Sequence, residues 1–381
     1  MSIHNIPFVD VLYPNLMDKK TLLSRIEDVI NSGQYVLGEN LEKFENEFAK
    51  KCGSKYAVGV NSGTDALILA MKTLGIGPGD EVITSVNSFI ATVAAIVWIG
   101  AIPILVDVDD TLNIDVNLIE PKITKRTKAI IPVHYTGRVA DMNTINNLAL
   151  KYNIPVIEDA AQAFGAMYYN KAAGTFGIMG CFSFFPTKNL SGIGDGGIII
   201  TDEVEIYKQL KMLRNFGRHS RDEFTQVGIN SRLDEIQAVI LMEKIQYFYD
   251  LQKRRLDLAY KYNELLKNYV KTPENRFYEK QAYHLYIITL HDDSITNREM
   301  EELLNLEGIQ ARIHYSIPIH LQKGYAFLGY KEGDFINIER LSKKILTLPL
   351  YPSMNIEDVY TIADKIRLTI NERKGELIHE N

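Results

Sequence analysis

Short, continuously apolar runs that alternate with helical stretches constrain this chain more than any other feature. Strand candidates lie at Tyr56–Val60, Glu81–Thr84, Ile102–Val106, Ala129–Val133, Pro155–Glu158, Cys181–Phe184 and Ile198–Thr201. Helical spacing is found at Leu41–Lys51, where Leu41, Phe44 and Phe48 share a face, and at Thr64–Leu74, Ile90–Ile99, Asn117–Ile123 and Met142–Asn153. Strands apolar on both faces and separated by helices predict an α/β fold with a mostly parallel sheet flanked by helices, because both faces need cover. Arg232–Lys267 reads as one or two long helices. Beyond it the texture changes: Ala282–Leu290 and Gln310–Ile313 read as strands, and Asn297–Glu307, Ile338–Ile345 and Ile356–Glu372 as helices. This predicts a large domain over residues 1–250, including an N-terminal arm, and a smaller C-terminal α+β domain over 251–381.

Composition removes several classes of function. The formal net charge of -6, with no basic block, argues against nucleic acid as a partner. Cys52 and Cys181 are too few for a disulfide framework or a Cys-rich metal site, and the scattered histidines give no metal-ligand spacing, so no metal is expected. The start of the chain lacks a basic segment followed by an apolar core, so no signal peptide is expected and a cytoplasmic setting fits. The stretch from Glu81 to Asp107 has no charge between its ends and imitates a membrane span. Gly100 and Pro103 interrupt it, which suits a buried helix, a turn and a buried strand instead.

In such sheets ligands bind beyond the carboxyl ends of the strands, which directs attention to the residues that follow each one. After Tyr56–Val60 comes Asn61-Ser62-Gly63-Thr64-Asp65, where free backbone N–H groups at a helix start suit a phosphate; a plain N-cap is the bland reading. Asp159 ends a buried strand and needs a partner, either a protonated pyridine nitrogen or an internal ion pair or cap. Gln162 lies one turn on, within reach of a second ring substituent. Phe89 offers a face for stacking, although most phenylalanines are core, and Ser183 is a further phosphate donor or a mere strand serine. Lys188 stands between Phe182, Phe184 and Phe185 and a glycine cluster; an apolar setting lowers a lysine's pKa and frees its amine as a nucleophile. Gly192–Gly197 satisfies G-x-G-x-x-G, but a strand follows the glycines instead of preceding them, which argues against a dinucleotide.

Taken together, VNSGTDAL (Val60–Leu67), GPGDEVI (Gly77–Ile83), IEDAAQAFGA (Ile157–Ala166), FSFFPTKNL (Phe182–Leu190) with GDGG (Gly194–Gly197), NSRLDEIQA (Asn230–Ala238) and IHYSIPIHLQ (Ile313–Gln322) resemble the DegT/StrS group of nucleotide-sugar aminotransferases, within the fold-type-I pyridoxal phosphate enzymes. The resemblance implies pyridoxal 5'-phosphate as cofactor, Lys188 as the Schiff-base lysine, Asp159 on the pyridine nitrogen, Gln162 on the ring hydroxyl and Phe89 on the ring face. It implies that Gly63, Thr64 and Ser183 hold the phosphate, with Asn230 reaching it from a second subunit of a homodimer with shared sites. The substrates implied are glutamate and a nucleotide-linked keto sugar. The forms at Asn230–Glu235 and Ile313–Gln322 lean toward C-3 of a dTDP-linked 6-deoxyhexose, with C-4 of a UDP- or GDP-linked sugar as the alternative. Tyr35, Arg218, His219, His314, Tyr315 and His320 are the candidates for sugar and pyrophosphate contacts. His134-Tyr135-Thr136-Gly137 departs from the His-Leu-Tyr-Gly of many relatives. Two other readings compete: a lyase acting on an amino acid, for which Arg312 is the candidate carboxylate ligand, and a non-catalytic regulator that keeps the fold.

Overall fold

The computed structural model describes residues 5–11, 18–291 and 294–379. The chain forms two compact units, one of residues 13–248 and 278–282, the other of the N-terminal residues with Tyr249–Phe277 and Tyr283 onward.

In the first unit the strands β1 (Tyr56–Val60), β2 (Glu81–Ser85), β3 (Ile102–Val106), β4 (Thr127–Ile131) and β5 (Ile157–Asp159) alternate with helices. The helices are α1 (Lys19–Ser32), α2 (Glu39–Cys52), α3 (Gly63–Thr73), α4 (Ala91–Trp98) and α5 (Met142–Tyr152). A small hairpin, β6 (Met167–Tyr168) and β7 (Lys171–Ala172), leads into β8 (Met179–Ser183) and β9 (Gly197–Thr201), followed by α6 (Val204–Leu213) and α7 (Glu235–Gln246). Strands β3, β2 and β4 pair in parallel, as do β5 and β8. Parallel bridges Ile130–Val156 and Val133–Asp159 join the two groups. β9 runs antiparallel to both neighbours, β8 and β1, so the parallel sheet carries one reversed strand.

Period-two alternation explains the two-sided burial. Ala57, Ile83, Ile130, Val156, Phe182, Ile198 and Ile200 pack on one face with side chains of α2, α5 and α7. Their chain neighbours Val58, Val82, Ala129, Ile131, Ile157, Cys181 and Ile199 pack on the other with α3, α4 and α6. Asn117–Ile123 differs from the expected helix: it forms two 3-10 turns, Val116–Leu118 and Glu120–Lys122, the second with Pro121 in its first turn and the first capped by Asp115.

In the second unit α8 (Phe248–Leu266, its first residue belonging to the first unit) leads to β10 (Val270–Lys271). After β11 (Glu279–Lys280), which belongs to the first unit and pairs there with β6, the second unit continues with β12 (Tyr286–Leu290), α9 (Asn297–Leu306), α10 (Ile336–Leu341), β13 (Ile345–Leu348) and α11 (Ile356–His379). The antiparallel sheet β10-β12-β13 packs with Leu258, Tyr262, Met300, Val359 and Ile366 of these helices. The expected helix Ile338–Ile345 stops at Leu341, and Ile345–Leu348 is a strand paired along β12 and closed by Pro349. The expected strand Gln310–Ile313 reduces to single bridges, Ile309 with Ile6 and Arg312 with Thr347. Ile6 thereby draws the N-terminal arm into the C-terminal unit, where its side chain is buried, and not into the large domain as expected.

Candidate functional site

The carboxyl ends of β1, β5 and β8 bring the main candidates together. Phe182 on β8 and Phe184 just past its end turn into an aromatic cluster with Phe44, Phe48 and Phe164. Alternation therefore sends Ser183 to the opposite face, against the start of α3. A Cβ on Gly63 would lie 2.8 Å from the Ser183 Cβ, and one on Gly197 would lie 2.4 Å from the Ser62 carbonyl carbon. Glycine at both positions lets three segments close on one point. Ser62 caps α3, its Oγ accepting the Asp65 N–H at 3.1 Å. The N–H groups of Gly63 and Thr64 are left without an intrahelical acceptor, at the positive end of the helix dipole. These groups, with the Thr64 and Ser183 hydroxyls, form a cradle suited to a phosphate.

The same alternation separates two carboxylates on β5. Glu158 is fully buried and fully occupied: it takes the His134 Nε2 at 2.7 Å and the N–H groups of Gly174 at 2.7 Å and Gly177 at 2.6 Å. His134 Nδ1 accepts the Ala140 N–H at 3.2 Å, which leaves the ring proton on Nε2. Asp159 faces the other way. Its Oδ2 accepts the Thr92 hydroxyl at 2.7 Å and its Oδ1 the Ala161 N–H at 3.2 Å, so lone pairs remain open. Its charge also acts on Lys188. Burial pulls the Lys188 amine down to about 8, while Asp159 opposes that by favouring the protonated form.

Gln162 is buried, and its Oε1 accepts the Thr136 N–H at 2.8 Å, which turns its amide donors to the remaining side. Thr136 does this from a left-handed backbone, φ 62°, inside the segment that departs from many relatives. Phe89, just before α4, is 55% exposed. A lysine amine, a carboxylate with free lone pairs, an amide, an exposed phenylalanine and an anion cradle match the parts of pyridoxal phosphate, so the residues fit that group. Thr92 escaped the sequence reading because a threonine in the first turn of a helix carries no pattern of its own.

The remaining candidates separate. Asn230 is exposed, next to a buried Ser231 whose hydroxyl donates to Asp65 Oδ2 at 2.6 Å. Tyr35 is exposed and its hydroxyl donates to the Ile30 carbonyl at 3.2 Å. Arg218 gives Nε to the Ser220 carbonyl at 3.0 Å and Nη2 to the Arg221 carbonyl at 2.6 Å, both on its own loop, and His219 beside it is exposed. In the C-terminal unit His314 lies 2.9 Å from the Thr347 hydroxyl and stacks on Phe8, with Tyr315 next to it. His320 is buried, its Nε2 at 2.9 Å from Glu339 Oε1, the carboxylate that also caps the N–H groups of Gly333 and Phe335. Among the described residues no helix is long and apolar enough to cross a membrane, and no group of His, Cys, Asp and Glu is arranged to hold a metal.

Known proteins resemble this chain over nearly its whole length. Residues 17–367 match the DegT/DnrJ/EryC1/StrS aminotransferase family. The dTDP-3-amino-3,6-dideoxy-alpha-D-galactopyranose transaminase of Aneurinibacillus thermoaerophilus is 41% identical over 95% of this chain and 98% of its own length. The UDP-N-acetyl-3-dehydro-alpha-D-glucosamine 3-aminotransferase of Acidithiobacillus ferrooxidans is 39% identical over 96% of this chain and 98% of its own. The crystal structure of S. venezuelae DesV in complex with a ketimine intermediate superimposes with a TM-score of 0.91 at 36% identity, covering 96% of this chain and 98% of that one.

Proposed function

This chain belongs to the DegT/DnrJ/EryC1/StrS aminotransferase family, which depends on pyridoxal phosphate, and we propose that it moves the amino group of glutamate to the C-3 ketone of a dTDP-linked 6-deoxyhexose. The observation that carries the reading is the Lys188 amine, depressed by burial yet within the field of Asp159, in a chain whose Ser183 also packs on the start of α3. When bound, pyridoxal phosphate supplies a carbonyl that takes up the amino group and a ring that draws electrons from the reacting carbon. The N–H groups of Gly63 and Thr64, with the Thr64 and Ser183 hydroxyls, hold its phosphate. Asp159 accepts a hydrogen bond from the ring nitrogen and keeps it protonated. Gln162 donates to the ring oxygen, and Phe89 covers one face and excludes water. Lys188 Nζ would hold the group through its carbonyl, and the same amine would serve as the general base and acid that moves a proton. Asn230 reaches the phosphate from the second subunit of a homodimer, and Arg218, His219, Tyr35, His314 and Tyr315 are the candidates for sugar and pyrophosphate.

Position C-3 has the support of two relatives of different nucleotide class whose names both place the amino group there. The dTDP-linked 6-deoxy sugar has the support of the relative with 41% identity. Transamination is reversible, so the test runs backward with stable amino sugars. A dTDP-3-amino-3,6-dideoxyhexose should bleach the visible band of the cofactor-loaded protein, and the 4-amino isomer should leave it unchanged. Bleaching by the 4-amino isomer alone, or by a UDP-linked sugar alone, would replace the C-3 or the dTDP assignment respectively. Loss of the band with simple amino acids but with no amino sugar would favour a lyase or an amino-acid enzyme.

A further inference from the structure

We propose that Thr92 is a positioning residue: its hydroxyl fixes the Asp159 carboxylate in the orientation that meets the ring nitrogen of the cofactor. The inference rests on the assignment of Asp159 above and adds a residue that lies outside the sequence motifs.

The backbone of Asp159 is held on both sides, its N–H by the Pro132 carbonyl at 2.9 Å and its carbonyl by the His134 N–H at 3.0 Å. Its side chain still has two torsions, and a carboxylate that rotates loses the alignment a single ring nitrogen needs. Two donors remove that freedom. The Ala161 N–H reaches Oδ1 at 3.2 Å, a long contact, and the Thr92 hydroxyl reaches Oδ2 at 2.7 Å, a length usual for O–H to a charged oxygen. Thr92 is buried and is the only side-chain hydroxyl donating to this carboxylate among the described residues.

A purely structural account is available and the distances decide against it. Threonine in a helix ordinarily returns its hydroxyl to a carbonyl three or four residues back. Here that acceptor is the Phe89 carbonyl at 3.4 Å, too long to compete with a charged oxygen at 2.7 Å. The hydroxyl proton therefore belongs to Asp159. α4 has no side-chain cap, so the hydroxyl is not needed to start the helix.

The test measures cofactor binding by the cofactor-free protein through fluorescence quenching, independently of turnover. Two ligands are compared: pyridoxal phosphate and its 1-deaza analogue, which has carbon in place of the ring nitrogen. Thr92→Val keeps the shape and removes the hydroxyl; Thr92→Ser keeps the hydroxyl. Thr92→Val should bind pyridoxal phosphate about tenfold or more weakly, as expected for loss of a hydrogen bond to a charged group, and should bind the analogue like the wild type. Thr92→Ser should stay within about threefold of the wild type for both ligands, because the donor is retained. Equal loss of both ligands in Thr92→Val, unchanged binding of pyridoxal phosphate, or an equal loss in Thr92→Ser would overturn the proposal alone. A wild-type protein that binds no pyridoxal phosphate would overturn the functional reading together with it.

Discussion

A lysine amine is protonated at neutral pH unless its surroundings oppose the charge. Two lysines have surroundings that oppose the charge, Lys244 buried and Lys188 half-buried. Lys244, whose amine donates to the Ser191 hydroxyl at 3.1 Å, is pulled down to about 8 by burial alone. Lys188 reaches about 8 against the pull of Asp159. Only Lys188 thus combines a reachable neutral form with a carboxylate that tunes it. The sign follows from linkage. Above about pH 8 the folded chain sheds this proton while the unfolded chain keeps it up to the ordinary lysine range. The charge therefore opposes folding fully below about pH 8, and that penalty is relieved as the pH rises above it. The rate at which cofactor-free protein takes up pyridoxal phosphate should accordingly rise with pH with a midpoint near 8. In Asp159→Asn the midpoint should move down, since the anion that favours the protonated amine is gone. Stopped-flow absorbance across a pH series measures both, and an upward shift in Asp159→Asn would mean that the carboxylate does not act on this amine.

At the scale of single elements, β5 divides labour by alternation: Glu158 braces the fold and Asp159 faces the site. Glu158→Ala would strand the His134 Nε2 proton and the N–H groups of Gly174 and Gly177 in the interior. That should lower stability by about 3–5 kcal/mol, as for other broken buried polar groups. Denaturant unfolding measures the loss, and a change below about 1 kcal/mol would show that this network does not support the strand. The sequence showed the apolar runs well, because strands buried on both faces have little freedom in composition, and β1, β2 and β3 lie where the pattern placed them. It showed them less well where neighbours decide. Ile345–Leu348 continues a helical run in spacing, and only pairing with β12 and the Pro349 that follows make it a strand. β9 is apolar like its neighbours, and nothing in it announces that it runs the other way. The site shows the same division. Lys188, Asp159 and the α3 start were candidates in the sequence from their place at or after strand ends, whereas Thr92 and the Thr136 N–H enter the candidate site through contacts with residues far along the chain.

For the whole molecule, the open question is whether one chain suffices for one site. Asn230 is exposed and follows a segment in which Phe224, Val227 and Ile229 all lie on the surface, Val227 at 91%. Large apolar side chains grouped on an exposed loop mark a surface that another protein covers, and a second copy of this chain is the partner that the proposed homodimer requires. If Asn230 serves the phosphate of the neighbouring subunit, Lys188 and the Asn230 that assists it reside in different chains. Lys188→Ala and Asn230→Ala would then damage the same site from opposite sides. Each homodimer alone should be inactive or nearly so, since both of its sites carry the defect. Co-expression produces mixed dimers in which one site carries both substitutions and the other carries neither. With random pairing about half the dimers are mixed and each has one intact site, so activity should recover to about a quarter of the wild-type value. Turnover of the co-expressed protein, set against the two homodimers, measures this. Failure to recover would place Asn230 in the same chain as the lysine it serves, and full activity of Asn230→Ala by itself would place it outside the site. Sedimentation of the mixture at the mass of a dimer would separate those outcomes from a simple failure to associate.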